Sequence, residues 1–250
     1  MTDILISEKA GVRYLHFSSD WIQGAMRITR PWSLELEYTR EMMSCLLLRA
    51  DPNWPRNALL IGLGTGSVTK FLRRHRPAAR LTVAEIEPKV VAAAQQYFCL
   101  PEEDAYLQII IADGADFLAS SDKHFDLIMV DGYDADARTG RLGTLACYLD
   151  CQSRLSEEGL LVANLLSRRK GGAASIERLL EAFGSRALAF PSCSSGNVVA
   201  FAAAGNPIDL SLGEMRETAR ALMSATALNL LPTLARLEGW HHCPGGQVRL

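Results

Sequence analysis

The residues best suited to chemistry begin with three alternating glycines, Gly62, Gly64 and Gly66, between an apolar run and a segment of helical apolar spacing. Glycines at this spacing let the backbone turn tightly and approach a ligand closely, and the following helix offers free N–H groups. A plain tight turn uses the same residues, so the motif needs its context. Ser67 stands where a dinucleotide-binding motif has its third glycine, which favours an adenosine ligand without a pyrophosphate over NAD.

Acidic residues stand at the ends of the three predicted strands that follow: Glu85, Asp113 and Asp131. Glu85 lies about 20 residues beyond the glycines, where an acid can bind both hydroxyls of a ribose. Any single aspartate at such a place could instead cap a helix. Four consecutive strand ends, however, all reach the crevice at the carboxyl edge of an open sheet, where α/β proteins bind ligands. The combination predicts a nucleoside cofactor site.

The elements that must position these residues alternate between short apolar strands and amphipathic helices. The predicted strands are Ala58–Ile61, Leu81–Ile86, Leu107–Ile111, Phe125–Val130 and Leu160–Leu165. The predicted helices are Val68–His75, Lys89–Phe98, Ala115–Ala119, Thr144–Leu155 and Ser175–Phe183. This pattern predicts a mostly parallel sheet covered on both faces, a Rossmann-like α/β fold. Arg186–Phe190 and Asn197–Ala203 predict an antiparallel pair at the sheet edge. Leu212–Ala227 predicts a further helix, and the tail after Pro232 has no clear assignment.

The first 50 residues have a different pattern. Val12–Phe17 and Ala25–Ile28 predict two short strands, and the apolar spacing of Leu34–Ala50 predicts a helix. We therefore expect a small N-terminal β appendage with a linking helix over residues 1–50. Residues 51–250 are expected to form a Rossmann-like adenosyl-binding domain with C-terminal helices.

Composition limits the partners of this chain. Its 250 residues have a formal net charge of −2 and a pI near 6.2, which indicates no binding to nucleic acid or anionic membranes. No run of about 18 apolar residues predicts a membrane span, and the N-terminus lacks the features of a secretory signal. The six cysteines form no CxxC pair and are expected to be reduced, which predicts a cytoplasmic location. His241-His242-Cys243 could ligate a metal, but no second ligand cluster accompanies it, so no metal site is predicted.

These motifs together resemble the spermidine synthase (polyamine aminopropyltransferase) family, which shares the class I methyltransferase fold. The resemblance extends from Val12 to Ala203, which is most of the chain. The segments that carry it are Gly62–Gly66, Glu85–Val91, Asp113-Gly114, the Asp-x-x-Asp of Asp131 to Asp134, and Ser195-Gly196-Asn197. The resemblance implies that decarboxylated S-adenosylmethionine or S-adenosylmethionine itself is the co-substrate, and that an amine is the acceptor.

The resemblance also implies roles for the matched residues. Glu85 would hold the ribose, and Asp113 the adenine amino group. Asp131 would be the general base that deprotonates the acceptor amine, and Asp134 would bind an amine of the acceptor. Attack on a sulfonium needs an in-line nucleophile with a free lone pair, and therefore a base within hydrogen-bond reach. The predicted donor-binding residues are Gly62, Gly64, Thr65, Gly66, Glu85, Asp113 and Gly114, and the predicted acceptor-binding residues are Tyr38, Tyr133 and Asp134.

The sequence departs from the family pattern at four places. Thr65 occupies the position of an aspartate that contacts the donor's amine, and Cys193 lies nearest to an expected tyrosine. The family's Tyr-His-Glu appears as Glu37–Glu41, without the histidine and with Tyr38 out of register. The family's Asp-Ser-Ser-Asp-Pro loop has become Asp131–Ala135. Adenosyl-binding residues are therefore retained, while residues for the acceptor and for the donor's tail differ.

The leading prediction is a spermidine synthase-like transferase that moves an aminopropyl group from decarboxylated S-adenosylmethionine to an amine. A methyltransferase that uses S-adenosylmethionine is the first alternative, and Thr65 favours it. A catalytically silent adenosyl-binding protein is the second alternative, and the presence of both Asp131 and Asp134 counts against it. Relatives commonly dimerise and the N-terminal strands are too short to be stable alone, so a homodimer is expected.

Overall fold

The described residues form three sheets, of seven, three and two strands. A computed structural model of the protein describes residues 4–17, 22–49, 51–133, 140–166, 172–192, 196–239 and 243–250. The strands, in chain order, are β1 Ile4–Lys9, β2 Val12–Phe17, β3 Ile22–Arg27, β4 Asn57–Ile61, β5 Arg80–Glu85, β6 Leu107–Ile111, β7 Phe125–Val130, β8 Leu155–Leu166, β9 Ala187–Pro191, β10 Asn197–Ala203, β11 Asp209–Ser211 and β12 Gln247–Arg249. The helices are α1 Glu37–Met42, α2 Ser67–His75, α3 Pro88–Tyr97, α4 Gly114–Ser120, α5 Leu145–Arg154, α6 Gly172–Phe183, α7 Leu212–Thr226 and α8 Leu231–Gly239.

The large sheet has seven strands in the order β6-β5-β4-β7-β8-β10-β9. The five strands from β6 to β8 pair in parallel, whereas β10 pairs antiparallel with both of its neighbours. The predicted mostly parallel sheet with an antiparallel edge is therefore confirmed. The chain runs outward from β4 through β5 to β6 and then returns to the other side of β4 at β7. Open sheets bind ligands at such a reversal, beyond the carboxyl ends of the strands.

Burial on both faces explains why the strands of the large sheet are continuously apolar. In β4, Ala58 and Leu60 belong to one buried cluster, whereas Leu59 and Ile61 belong to a second cluster on the opposite face. Successive side chains of a strand point to opposite faces, so a strand with both faces covered has no polar face. Because the glycine turn follows β4 directly, it lies at the middle of the sheet's carboxyl edge.

The N-terminal sheet has three antiparallel strands in the order β1-β2-β3, one more than predicted. The missed strand, β1, has exposed side chains over most of its length, so it lacks an apolar pattern. Leu15 on β2 and Met26 on β3 lie in the same buried cluster as Ala58 and Leu60. The small sheet thus packs on the large one, and the division of the chain at residue 50 stays a prediction.

The prediction of one helix over Leu34–Ala50 is wrong. Helix α1 covers only Glu37–Met42, and a 3₁₀ turn follows over Met43–Leu47. Every residue from Met42 to Leu47 is buried. An amphipathic α-helix buries one stripe, so consecutive burial marks a segment enclosed on all sides, where a short, tighter turn fits.

The C-terminal segment, which the sequence left unassigned, folds back onto α1. Helix α8 begins at Leu231 with Pro232 in its first turn, where the missing N–H costs no hydrogen bond. Arg236 on α8 donates to the buried carboxylate of Glu41 on α1 and to the carbonyl oxygen of Pro191. The tail therefore holds α1 against the end of β9. Among the helices of the described ranges, none has the length and apolar character needed to cross a membrane.

Candidate active site

A cavity of about 250 Å³ opens at the carboxyl ends of β4, β5 and β7. Nearly all of the described residues that the sequence predicted for the site line it: Tyr38, Gly62, Gly64, Thr65, Glu85, Asp113, Gly114, Asp131 and Tyr133. Gly66 is not one of its lining residues; it forms the N-cap of α2 with φ of 65°. Asp134, Cys193, Ser195 and the pair His241-His242 lie outside the described residues. The folding of the chain thus brings the two predicted groups of residues to one crevice.

Gly62 is required where the strand ends are closest together. Its φ is 95°, and a Cβ there would lie 2.3 Å from the carbonyl oxygen of Asp131. Its N–H donates to the carbonyl oxygen of Ala84 at 2.9 Å, and the N–H of Asp131 donates to that of Ile61 at 2.9 Å. A side chain would therefore push the glycine turn away from Asp131. The glycine turn and Asp131 are in direct backbone contact.

Glu85 is held by backbone N–H groups from two segments. One carboxylate oxygen accepts from Leu63 N–H at 2.8 Å, and the other accepts from Glu87 N–H at 3.0 Å. Burial raises the pKa of Glu85, and these N–H groups oppose that shift. A third backbone N–H group, that of Ile86, also hydrogen-bonds this carboxylate. Glu85 also lines the cavity, where its carboxylate can accept from hydroxyl groups of a ligand.

Asp113 performs the helix-capping role that the sequence left open as an alternative. Its Oδ1 accepts from Ala115 N–H at 2.8 Å and from Asp116 N–H at 3.3 Å, at the start of α4. Its Oδ2 lies 3.4 Å from the guanidinium of Arg141. A Cβ on Gly114 would lie 2.2 Å from Ile61 Cγ2, so the glycine lets α4 pack against the end of β4. Capping and ligand binding are compatible here, because Asp113 also lines the cavity.

Asp131 follows β7 and receives one hydrogen bond on each carboxylate oxygen. Asn164 Nδ2 donates to its Oδ1 at 2.7 Å, and the hydroxyl of Tyr38 donates to its Oδ2 at 3.1 Å. Burial raises the pKa of Asp131, and the two donors oppose that shift. The carboxylate is therefore a stronger base than an exposed aspartate. Tyr38, which the sequence placed out of register with the family motif, reaches Asp131 from α1 across 93 positions of the chain.

Two asparagines complete this cluster, and sequence reasoning did not assign either of them to the site. Asn164 lies on β8 with 3% of its surface exposed, and Asn197 lies at the start of β10 with 5% exposed. Asn197 Nδ2 donates to Asn164 Oδ1 at 2.7 Å. The hydroxyl of Tyr133 donates to the backbone carbonyl of Asn164, and burial raises the pKa of this phenol. An asparagine inside the apolar run of β8 was a signal, because a buried amide needs hydrogen-bond partners.

The N-terminal sheet packs closely against the glycine turn. A Cβ on Gly24 of β3 would lie 2.6 Å from the methyl carbon of Thr65. The Thr65 hydroxyl forms a hydrogen bond of 2.9 Å with the Ser67 hydroxyl, which in turn donates to the carbonyl oxygen of Ala25. Thr65 is buried, so the residue that replaces the family's aspartate joins β3 to the turn. Gln23 also lines the cavity, and the sequence prediction missed this contribution of β3.

Apolar side chains line the part of the cavity next to Glu85 and Asp113. Ile86 follows Glu85 directly and is 65% exposed, although it is a large apolar residue. Leu142 reaches the same cavity, and its terminal carbon would lie 2.6 Å from a Cβ on Gly132. Exposed apolar carbon inside a cavity favours a flat, apolar ligand group such as an aromatic ring.

Among the residues that the structure describes, no cysteine lines this cavity. Cys147 and Cys151, one helical turn apart on α5, are both buried, as expected for thiols that pack in the core. Over the described ranges, no group of three or more histidine, cysteine or acidic side chains is arranged to hold a metal ion.

The strand order, the glycine turn after β4 and the acidic residue after β5 define the Rossmann-like class I methyltransferase fold. Solved structures share it. A probable spermidine synthase from Corynebacterium glutamicum has a TM-score of 0.71 at 17% identity, over 89% of this chain and 84% of that chain. Human methyltransferase-like protein 13 in complex with SAH has a TM-score of 0.68 at 25% identity, over 77% of this chain and 93% of that chain. A spermidine synthase in complex with the transition state analogue AdoDATO has a TM-score of 0.60 at 22% identity, over 81% and 74%.

Sequence relatives identify the family. The profile of the spermine/spermidine synthase domain matches residues 36–167. The polyamine aminopropyltransferase of Neisseria meningitidis is 35% identical over 236 residues, 94% of this chain and 89% of that protein. That of Chromobacterium violaceum is 35% identical over 248 residues, 99% of this chain and 94% of that protein. A murine eEF1A lysine and N-terminal methyltransferase is 30% identical over 146 residues, 53% of this chain and 21% of that protein. The chain belongs to the spermine/spermidine synthase family of transferases.

Proposed function

We propose that the protein transfers an aminopropyl group from decarboxylated S-adenosylmethionine to an amine, with Asp131 as the general base. The observation that carries the proposal is the position of Asp131: it lines the cavity, its backbone touches the glycine turn, and its carboxylate is held by Tyr38 and Asn164. The relatives that match over nearly the whole chain are polyamine aminopropyltransferases, which supports the same reaction. The acceptor amine and the residues that bind it are proposals from the cavity alone.

The donor side of the cavity suits an adenosyl group. Glu85 lines the cavity, where its carboxylate can accept from the ribose hydroxyls, and the exposed side chain of Ile86 offers an apolar surface to an adenine ring. Leu142 is a second apolar contact for the ring, and Asp113 Oδ2 can accept from the adenine amino group. Carboxylates near the ligand also favour a cationic sulfonium. Gly62 and Gly64 let the backbone approach the ligand without a side chain between them.

The reaction requires a neutral amine nitrogen, and Asp131 supplies the base. The nitrogen lone pair attacks the aminopropyl carbon that is bonded to sulfur. The carbon–sulfur bond breaks, and its electron pair remains on sulfur, which becomes the neutral thioether of methylthioadenosine. Before this attack, the excess proton of the acceptor's ammonium group passes to Asp131, whose raised pKa makes it a better proton acceptor than an exposed aspartate. Tyr38 and Asn164 hold the two oxygens of Asp131 in place.

Methyl transfer from S-adenosylmethionine is not favoured. The murine methyltransferase relative matches only about half of this chain, whereas the aminopropyltransferases match nearly all of it. Thr65 does not decide between the two reactions, because its hydroxyl is bonded to Ser67 and its methyl group packs on Gly24. A protein that only binds an adenosyl ligand would not require a hydrogen-bonded carboxylate base at position 131.

The proposal is tested with the full chain, decarboxylated S-adenosylmethionine and a panel of acceptors: putrescine, a longer diamine, spermidine and a monoamine. Mass spectrometry would follow the aminopropylated amine and methylthioadenosine, which should form in equal amounts. A parallel reaction with S-adenosylmethionine tests methyl transfer. Aminopropylation of at least one amine is expected, and methylation without aminopropylation would contradict the proposal.

A variant with the same chemical change elsewhere makes this test specific. Asp122→Asn alters an exposed aspartate that precedes β7, at the opposite end of that strand from the cavity. It should transfer aminopropyl groups at the rate of the unmodified chain.

The expected homodimer and the cytoplasmic location stay predictions. Light scattering at micromolar concentration would test the homodimer.

A further inference from the structure

We propose that Asn197 and Asn164 form a relay of side-chain amides that fixes the direction of the Asn164 side chain and so presents its NH₂ group to the reactive carboxylate of Asp131. This inference rests on the proposed function for its catalytic meaning, and on the geometry of the two amides for everything else. Both asparagines are positioning residues, since neither lines the cavity.

The relay crosses two strand pairings of the large sheet. Asn164 pairs with Val199 across the antiparallel β8–β10 pair, which places Asn197 two residues along β10 on the same face. The amides meet at 2.7 Å, and Asn164 reaches Asp131, beyond the end of the neighbouring strand β7, at 2.7 Å. Three strands thus contribute one residue each to a single line of hydrogen bonds.

The chemistry of an amide gives the relay a direction. An ionised carboxylate only accepts hydrogen bonds, so Asn164 must turn its NH₂ group, not its oxygen, toward Asp131. Its oxygen then faces away from Asp131 and needs a donor, which Asn197 supplies through Nδ2. If Asn164 rotated by half a turn, two oxygens would face each other at Asp131 and two NH₂ groups would face each other at Asn197. Asn197, through its contact with Asn164, therefore disfavours the rotated orientation of the Asn164 amide.

The groups around Asp131 make the NH₂ group of Asn164 important for stabilising the charge of its carboxylate. Tyr38 from α1 and Tyr133 from the loop after β7 face Asp131, and both phenols have a pKa raised by burial, so they stay neutral. Glu85 from β5, Asp113 at the start of α4 and Arg141 before α5 line the same cavity. Arg141 is committed to Asp113 and Asp116, with distances of 3.4 and 2.6 Å. Among the described residues, the donors that touch the Asp131 carboxylate are therefore Tyr38 and Asn164.

The test replaces the remote end of the relay and reads the ionisation of Asp131. Asn197→Asp keeps the size of the side chain but can only accept, so it competes with Asp131 for the NH₂ group of Asn164. Asn197→Leu removes the donor without adding an acceptor. Asn164→Ser shortens the side chain and removes the donor at Asp131 itself. Val198→Ala is the matched control, because it removes buried atoms from the same strand on the face opposite to the relay.

Two readouts separate positioning from a merely structural role. One is the acidic limb of the pH profile of kcat, and the other is the carboxyl ¹³C NMR titration of Asp131, assigned by its loss in Asp131→Asn. Asn197→Asp and Asn164→Ser should move both upward by about one to two pH units, the size expected for a lost hydrogen bond to a charged group. Asn197→Leu should move them by a smaller amount. Val198→Ala should lower the melting temperature and leave both titrations in place.

The outcomes distinguish the relay from the proposed function. If Asn197→Asp and Asn164→Ser leave the Asp131 titration unchanged while Val198→Ala lowers stability as much as they do, the relay is wrong. If the NMR titration shifts as expected but the unmodified chain transfers no aminopropyl group, the proposed function is wrong and the relay stands. If Asn197→Asp does not fold, Asn164→Ser and Asn197→Leu carry the same comparison.

Discussion

The two ends of the cavity are built from different kinds of contact. On the donor side, backbone N–H groups hold the carboxylates: Leu63 and Glu87 bind Glu85, and Ala115 and Asp116 bind Asp113. On the reaction side, side chains from other elements hold Asp131. Those partners are 93 and 33 residues away from it along the chain.

This difference predicts a difference in function. Backbone donors come with the fold and hold their carboxylates wherever the strand ends and helix starts are formed, so the donor side is a rigid binding surface. A carboxylate held by side chains has an ionisation that depends on each of them, so the reaction side can be tuned one residue at a time. Changes on the donor side should therefore alter affinity, and changes on the reaction side should alter turnover and its pH dependence.

The largest effect is expected where the two ends meet. Gly62→Ala places a methyl group 2.3 Å from the Asp131 carbonyl oxygen, at a φ of 95°. It should abolish transfer and destabilise the chain by about 3 kcal/mol or more, since overpacking and backbone strain add. Gly184→Ala is the control: its φ is also positive, at 59°, but a Cβ there meets nothing within 4 Å, so only about 1–2 kcal/mol of strain is expected. Thermal unfolding of both variants measures this, and equal destabilisation would contradict the close approach.

Glu85→Gln should act on donor affinity alone. Loss of the charge weakens two hydrogen bonds to the ribose, so affinity for methylthioadenosine should fall by about 10- to 100-fold. Turnover at saturating donor should change little, because Glu85 does not touch Asp131. Calorimetric titration measures the affinity, with the exposed Glu181→Gln as control. An unchanged affinity would remove Glu85 from the donor site.

Tyr38→Phe should act on the reaction side alone. It removes the donor to Asp131 Oδ2, so the pKa of Asp131 should rise and the acidic limb of kcat should move up by about one pH unit. Donor affinity should stay within about twofold. Tyr106→Phe, at a half-exposed tyrosine far from the cavity, is the control. A fall in donor affinity with an unchanged pH profile of kcat would contradict this assignment and place Tyr38 on the donor side.

The smallest effect concerns a buried charge behind the glycine turn. Lys70 on α2 is 1% exposed and donates to the carbonyl oxygen of Phe98 at 2.6 Å. Burial lowers the pKa of Lys70 from 10.5 to about 8. Between these values the unfolded chain binds more protons than the folded chain, so stability rises with pH through this window. Relative to Lys70→Met, the melting temperature should rise by about 4–7 °C from pH ~7.5 to ~9.5. The exposed Lys123→Met variant should follow the unmodified chain, and parallel curves for Lys70→Met would contradict the shift.

The sequence predicted the fold, and the meeting of the glycine turn, Glu85 and Asp113 at one cavity, for one physical reason. Apolar periodicity and the alternating glycines are local signals, and local signals define strands, helices and the turns between them. The bounds predicted for β6, β7 and β10 agree with the structure. Strand β1 was missed because its exposed, polar half has no apolar pattern, and α1 was drawn too long because every side of the segment after it is buried.

The reaction side could be predicted only in part. Asp131 was identified from its place after a strand, but its partners depend on which strands become neighbours. Asn164 reaches Asp131 because β8 lies beside β7, and Asn197 reaches Asn164 because β10 pairs antiparallel with β8. Tyr38 depends on how the C-terminal helix α8 holds α1. Such contacts follow from tertiary packing. The spacing of residues within one segment does not show which elements will become neighbours.

The central claim is that Asp131 is the base for aminopropyl transfer, and Asp131→Asn tests it most directly. Asparagine keeps the size of the side chain but cannot accept the proton, so turnover should fall by about 10²-fold or more. Affinity for methylthioadenosine, measured by calorimetry on the same preparation, should stay within about twofold. A variant with a lowered melting temperature and full turnover would contradict the claim and reduce Asp131 to a structural link between β7 and the glycine turn.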